Sequence, residues 1–235
     1  MAKKSREKFK VYKNVFDEFA LRTLFELESK GHFLEEDLVP ISIGKESNIF
    51  WGQGKAGEVI VKIYRLESCD FNRMYDYIKY DPRFIKLKKQ RRKVILAWAQ
   101  REYRNMLKAR EANVNAPLPH AILNNVLVME LIGKHAPAAK IKDVLPKNPK
   151  RFFDEIVKNI QRFYKAGYVH GDLSKFNILN DNETPALIDF SQATPLQNPN
   201  ATDYLKRDIK NVSDFFRKLG VKIDDEGILR KITSP

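Results

Sequence analysis

The stretch Val169-His170-Gly171-Asp172-Leu173-Ser174-Lys175-Phe176-Asn177-Ile178-Leu179-Asn180, followed soon by Leu187-Ile188-Asp189-Phe190, constrains this chain more than any other. Singly, its pieces are ordinary. Gly171 supplies a left-handed φ in a turn capped by Asp172, and Asp189 ends a strand. Together they form one chemical set: an acid at Asp172, an amide five positions on at Asn177, and a second acid at Asp189 after an apolar run. That set suits phosphoryl transfer. Asp172 accepts or orients the proton of a hydroxyl nucleophile, while the Asn177 amide oxygen and the Asp189 carboxylate are hard ligands for Mg²⁺.

The β-rich Ile178-Leu179-Asn180 and the turn at Pro185 complete the pattern of the C-terminal lobe of a protein-kinase-like fold. The fold class expected is therefore α+β and bilobal, with an antiparallel sheet plus a helix in the N-lobe and a trimmed, mostly helical C-lobe. Upstream, Val39 to Ile43, Glu46 to Gln53 and Glu58 to Arg65 are three β-rich runs. The break Gly44-Lys45-Glu46-Ser47 sits where such a fold covers the nucleotide phosphates, although it is neither a P-loop nor a GxGxxG. Backbone amides near Gly44, with Lys45 and the Ser47 hydroxyl, approach phosphates there.

Val59-Ile60-Val61-Lys62-Ile63-Tyr64 reads as a buried strand with one cation, which is costly unless paired. A helix over Arg91 to Ala112 carries Ile95, Trp98, Ala99, Glu102, Tyr103 and Met106 on one face. Glu102 inside that apolar stripe is the natural partner of Lys62, with Glu111 the alternative; the pair directs Lys62 to the α and β phosphates. Between strand and helix, Leu66 to Gln90 is expected to be a mobile functional loop. It leads into the basic segment 83–93, whose cations interleave with apolar residues and read either as a solvated helix face or as a surface for RNA phosphates.

Ala121 to Leu123 and Val126 to Leu131 predict a hairpin over Asn124-Asn125. Its second strand ends at Met129-Glu130-Leu131-Ile132-Gly133, where the Glu130 carbonyl and the Ile132 amide are placed to meet adenine. Pro149 opens a core helix bearing Phe153, Ile156, Val157, Ile160, Phe163 and Tyr164, ended by Gly167. Asp203 to Leu219 predicts another. Within it, Asp208 reads either as a surface acid or as a hydrogen-bonding partner of the catalytic loop. At the other end, Phe16, Phe19, Ala20, Leu24 and Leu27 predict a helix over residues 14 to 31, capped by Asn14. The domain division expected is 1–38 as a helical extension, 39–132 as N-lobe with the mobile loop at about 66–90, and 133–235 as C-lobe.

Composition bounds the rest. No apolar run is long enough to span a bilayer, and Met1-Ala2-Lys3-Lys4-Ser5-Arg6 is basic without a signal-like apolar segment, so no membrane role is expected. A single cysteine, Cys69, permits no internal disulfide and suits a reducing, cytoplasmic setting. With 43 basic and 30 acidic residues the formal net charge is +13, which favours an anionic partner beyond ATP.

Taken together, Gly44-Lys45-Glu46-Ser47, Trp98-Ala99-x-x-Glu102-x-x-Asn105, His170-Gly171-Asp172-Leu173-Ser174-x-x-Asn177 and Leu187-Ile188-Asp189-Phe190-Ser191-Gln192-Ala193 resemble the RIO family of atypical serine kinases over roughly residues 40 to 220. The Asp189-x-Ser191-Gln192-Ala193 ending and the short N-terminus without a winged helix resemble its first subfamily, the archaeal type. Gly44-Lys45-Glu46-Ser47 is closer to the second subfamily's loop. The resemblance implies Mg-ATP (or Mn-ATP) binding, serine autophosphorylation or ATP hydrolysis, and work on a pre-small-subunit ribosomal particle, with rRNA met through 83–93 and the chain acting as a monomer. By position it makes Asp172 the proton acceptor, Asn177 and Asp189 the metal ligands, Lys62 the phosphate anchor, and Glu130 with Ile132 the adenine-binding backbone. It also implies an aspartyl-phosphate at Asp189. Only 46 residues follow Asp189 in a chain of 235, and no Ala-Pro-Glu segment appears, so the peptide-binding platform of a conventional kinase is expected to be missing. An aminoglycoside- or choline-type small-molecule kinase and a pseudokinase scaffold are the rival readings.

Overall fold

The computed structural model describes residues 17–234, which divide into two compact units. The first takes the described residues up to Asp76 together with Lys86–Tyr103 and Pro119–Leu131; the second takes Tyr77–Ile85, Arg104–Leu118 and the described residues from Ile132 on.

The first unit is an antiparallel sheet with helices. Strands β1 (Val39–Ile43), β2 (Ser47–Gly54), β3 (Gly57–Tyr64), β4 (Pro119–Leu123) and β5 (Val126–Glu130) lie in the order β1-β2-β3-β5-β4. The three β-rich runs thus become strands within about a residue of the expected bounds. Val59, Val61, Val126 and Val128 on the central strands are buried, and they share one core with Phe50 and with Ala20, Leu24 and Leu27 of helix α1 (Glu18–Ser29). Their two-residue spacing along each strand turns them to one face of the sheet. Asp17 caps α1 by accepting a hydrogen bond from the Ala20 amide at 2.6 Å. The expected cap, Asn14, and Phe16 lie outside the described residues.

The β4–β5 turn lacks glycine because Asn124 takes the left-handed conformation itself, at φ 51°. Its neighbour Asn125 donates from Nδ2 to the Tyr64 carbonyl at 2.7 Å, which ties the turn to the end of β3. Between β3 and the helix that follows, the stretch expected to be a mobile loop contains helix α2 (Phe71–Ile78), followed by a 3₁₀ turn over Pro82–Phe84. Met74 and Ile78, one helical turn apart, are buried, and Asp81 caps the 3₁₀ turn by accepting from the Arg83 amide at 3.1 Å. Helix α3 (Arg91–Glu111) then begins in the first unit and ends in the other.

The second unit is mostly helical. Helix α4 (Pro149–Lys165) starts on an Asn148 cap with Pro149 in the first turn, as a fixed φ favours there, and Gly167 follows it at φ 87°. Phe153, Ile156, Val157, Ile160 and Phe163 are buried as the stripe predicts. Strands β6 (Ala139–Lys140), β8 (Ile178–Asp181) and β9 (Thr184–Leu187) form one small sheet, and β7 (Tyr168–Val169) pairs with β10 (Thr194–Pro195) in another. Helix α5 (Ala201–Arg217) starts slightly ahead of the expected Asp203, and helix α6 (Asp225–Thr233) ends the described chain.

Candidate active site

In the first unit, the cation on β3 and the acid on α3 meet. Lys62 Nζ lies 2.8 Å from Glu102 Oε1, with 7% and 1% of the two side chains exposed. The Tyr64 hydroxyl also hydrogen-bonds Glu102. Lys62 and Tyr64 are two apart on β3, so the pleat turns both to one face. The alternative acid, Glu111, pairs instead with Lys108 at 2.6 Å.

The β1–β2 turn differs from expectation in one respect. The Gly44 amide is committed to the Ser47 carbonyl at 3.1 Å, and a Cβ at Gly44 would lie 2.9 Å from that oxygen. The carbonyls of Lys45 and Glu46 accept from Ser68 Oγ at 2.5 Å and Cys69 Sγ at 2.9 Å. Glu130 ends β5 opposite Val59, and the Ile132 carbonyl, just beyond it, accepts from the Ala138 amide at 2.8 Å.

In the second unit, Asp172, Asn177 and Asp189 are held by backbone. Gly167 leads α4 into β7, and Gly171 then turns the chain at φ 78°, where a Cβ would meet the Gln192 carbonyl at 2.8 Å. Only glycine fits that crossing. Nδ2 of Asn177 donates to the Asp172 carbonyl at 2.8 Å and lies 3.3 Å from its carboxylate, which turns the amide oxygen Oδ1 outward as the group able to meet a cation. The Asn177 carbonyl accepts from the Ile188 amide at 3.0 Å, so the residue before Asp189 is pinned to Asn177. Asp189 itself sits at φ 63°, ψ 68° and accepts from Ser191 Oγ at 2.7 Å. A left-handed aspartate costs about 1–2 kcal/mol, a strain tolerated where geometry serves chemistry.

His170 is structural. It is buried, its Nε2 donates to the Ile188 carbonyl at 3.1 Å, and burial lowers its pKa to about 4 although Asp189 and that carbonyl both favour the cation. The imidazole is therefore neutral at physiological pH.

The loop around Asp172 is gripped from α5. Asp208, 1% exposed, accepts from the Gly171 amide at 2.7 Å and the Leu173 amide at 2.8 Å. Arg207 donates to the Gly171 carbonyl, and Asn211 to the Leu173 carbonyl at 3.3 Å. With Asn177 on the Asp172 carbonyl, five backbone groups across three residues have side-chain partners, the arrangement preorganised catalysis requires. Of the two readings of Asp208, the loop partner is the observed one. Arg207 and Asn211 escape the sequence reading because their partners are backbone groups far along the chain, which carry no residue signal; Asn105 and Ser191 stand in the motifs, and the structure adds what each one bonds.

The basic segment is less available than its sequence suggests. Arg83 forks onto Asp81 and Asn105, and Arg91 donates to the carbonyls of Glu67 at 2.8 Å and Cys69 at 3.0 Å. Lys86, Lys88, Lys89 and Lys93 remain exposed.

Among the described residues, no group of three or more His, Cys, Asp and Glu side chains could hold a metal ion. The Asn177 amide oxygen and the Asp189 carboxylate are nonetheless hard donors of the kind a divalent cation takes, and few protein ligands are needed when phosphates and water supply the rest. No helix among the described residues is long and apolar enough to cross a membrane.

The RIO domain family matches residues 48–228. The RIO-type serine/threonine-protein kinase Rio1 of Haloferax volcanii is 37% identical, over 99% of this chain and 81% of that protein. Its namesake from Methanocaldococcus jannaschii is 38% identical, over 98% and 80%. Among solved structures, the Rio2 kinase–ADP/Mg²⁺–phosphoaspartate complex from Chaetomium thermophilum superposes with a TM-score of 0.66 at 23% identity, covering 91% of this chain and 66% of that one. At that identity the likeness is one of fold, the protein-kinase-like fold of RIO kinases.

Proposed function

This chain belongs to the RIO family of serine/threonine-protein kinases, and on that premise we propose that it transfers the γ-phosphoryl group of ATP to a serine hydroxyl, its own included, or to water. The observation that carries the reading is the grip of Asn177 on the Asp172 carbonyl and carboxylate, in a loop whose backbone α5 holds on both sides. Asp172 takes the proton of the attacking hydroxyl. The oxygen bonds to the γ phosphorus as the bond to the β–γ bridging oxygen breaks, and ADP leaves. A divalent ion, Mg²⁺ or Mn²⁺, held by Asn177 and Asp189, would neutralise charge on the phosphate oxygens. Lys62, steadied by Glu102, anchors the α and β phosphates; Lys45 and Ser47 cover them; the Glu130 carbonyl and Ile132 amide meet the adenine. The phosphoaspartate in the Rio2 complex supports a covalent step in which Asp189 carries the phosphoryl group before water removes it.

The setting we propose is cytoplasmic. The chain works as a monomer on a pre-small-subunit ribosomal particle, met as rRNA through the exposed lysines of 86–93; the net charge of +13 supports an anionic partner of that kind.

Replacing Asp172 by Asn tests the chemistry. Autophosphorylation and ATP hydrolysis should both fall by about 10²–10⁴-fold with ADP affinity retained. Unchanged turnover would sink the assignment, and rapid phosphorylation of a small alcohol by the wild type would favour a small-molecule kinase.

A further inference from the structure

Residues 77–85 lie in the stretch between β3 and α3, yet they cluster with the catalytic unit. Each end of this segment reaches one of the two chemical loops through a single intermediate side chain. At one end, Tyr77 at the close of α2 is hydrogen-bonded to the Arg207 guanidinium. Its ring packs 5.6 Å from that of Tyr204, over which Arg207 lies at 5.0 Å. Arg207 donates in turn to the Gly171 carbonyl, one residue before Asp172.

At the other end, Arg83 is fixed by Asp81, Nε at 2.8 Å and Nη2 at 2.6 Å, and its Nη2 also donates to Asn105 Oδ1 at 2.7 Å. Asn105 then donates from its Nδ2 to the carbonyls of Phe190 at 2.9 Å and Ala193 at 2.8 Å, the turn that starts at Asp189. Asp81 and Asn105 are 1% and 0% exposed, so these bonds are made away from water, where leaving a partner unmet is strongly unfavourable. A guanidinium presents its donors in a rigid fork, so moving one acceptor moves the other.

We propose that residues 77–85 are a two-armed brace that sets Asp172 and Asp189 for phosphoryl transfer, with Tyr77 and Arg207 as one arm and Arg83 and Asn105 as the other. The inference rests on the kinase reading above. These are positioning residues: each acts on a reacting carboxylate through backbone.

The test uses the full chain and two mild variants. Tyr77→Phe removes the hydroxyl and keeps the ring against Tyr204; Arg83→Lys keeps the charge beside Asp81 and loses the fork. Each should lower kcat for ATP hydrolysis about tenfold with KM for ATP within about twofold of wild type, because a small misplacement of a reacting group is costly in rate; Tyr77→Phe should leave Tm little changed, whereas Arg83→Lys, which leaves the buried Asn105 oxygen unmet, should lower Tm while KM still holds. Adding Tyr77→Phe to Arg207→Met should cost nothing further, since both cut one arm, whereas combining Tyr77→Phe with Arg83→Lys should multiply the losses. Unchanged kcat in both single variants, a loss carried by KM, or multiplication within one arm would each overturn the brace. A wild-type chain with no turnover would instead overturn the kinase reading and take the brace with it.

Discussion

Breaking the pair between Lys62 and Glu102 separates its part in stability from its part in nucleotide binding. The two side chains meet at 2.8 Å and are 7% and 1% exposed, so neither charge has water to fall back on. Lys62→Met leaves the Glu102 carboxylate buried beside the Tyr64 hydroxyl, and Glu102→Gln takes the Glu102 charge away from the ammonium. Removing one partner of such a pair costs about 3–5 kcal/mol, while replacing both with apolar groups is roughly neutral. With a urea dependence of about 1–3 kcal/mol/M, each single variant should lower the unfolding midpoint of the first unit by about 2 M. Lys62→Met/Glu102→Leu should recover most of it. Both tryptophans of the chain, Trp51 and Trp98, belong to this unit, so intrinsic fluorescence reads it selectively. ATP affinity should be lost in all three variants, because the phosphate anchor is gone or unsupported. Additive losses, with the double variant as unstable as the sum of the singles, would refute the buried-pair argument.

Asp208 predicts a pH dependence. Burial pushes its carboxyl up to about 7, against the amides of Leu173 and Gly171 and the Arg207 charge, which favour the ionised form; Asp172 reinforces the rise. An acid with a raised pKa binds its proton more tightly folded than unfolded, so stability present below about pH 4 is lost as pH climbs through about 7. The grip on the loop needs the carboxylate, so kcat should fall below about pH 7 while stability rises. Asp208→Asn should flatten both profiles, and an acid limb of kcat that stays in place would show that Asp208 does not set it. Replacing Lys86, Lys88, Lys89 and Lys93 by Gln should weaken binding to small-subunit precursor RNA and reduce the salt slope by about 0.7–0.9 for each phosphate no longer neutralised. An unaltered slope would place the RNA-binding surface elsewhere.

Much of this architecture is legible in the sequence because it is local. The strands of the first unit and the helices that open at Arg91 and Pro149 follow from periodicity and caps within a few residues of where they stand. The Lys62–Glu102 pair is legible for a different reason: a charge inside an apolar run must be answered by another. Helix α2 is not legible, because Met74 and Ile78 make a short stripe among tyrosines and charges that reads equally well as a loop. The basic segment misleads in the opposite direction. Arg83 and Arg91 look like the lysines between them, since a run of cations does not reveal which of them meets a carboxylate or a carbonyl in the fold.

The same distinction explains the site itself. The roles proposed for Asp172, Asn177 and Asp189 use their side chains, so chemistry restricts each to one residue type at close spacing, and the motif names them. What holds them acts on peptide groups, which are alike along the chain, so the holding residues are free to come from far away: Asp208 lies 37 and 35 residues beyond the amides it accepts from. One signal survives this freedom. Asp208 interrupts the apolar series Leu205, Ile209 and Val212 of α5 as Glu102 interrupts that of α3, and in both cases the buried carboxylate has partners strong enough to justify its burial. A carboxylate inside a helical apolar stripe therefore identifies its own helix as a support of the site, and the polar residues flanking it, here Arg207 and Asn211, are the next to be sought on the same loop.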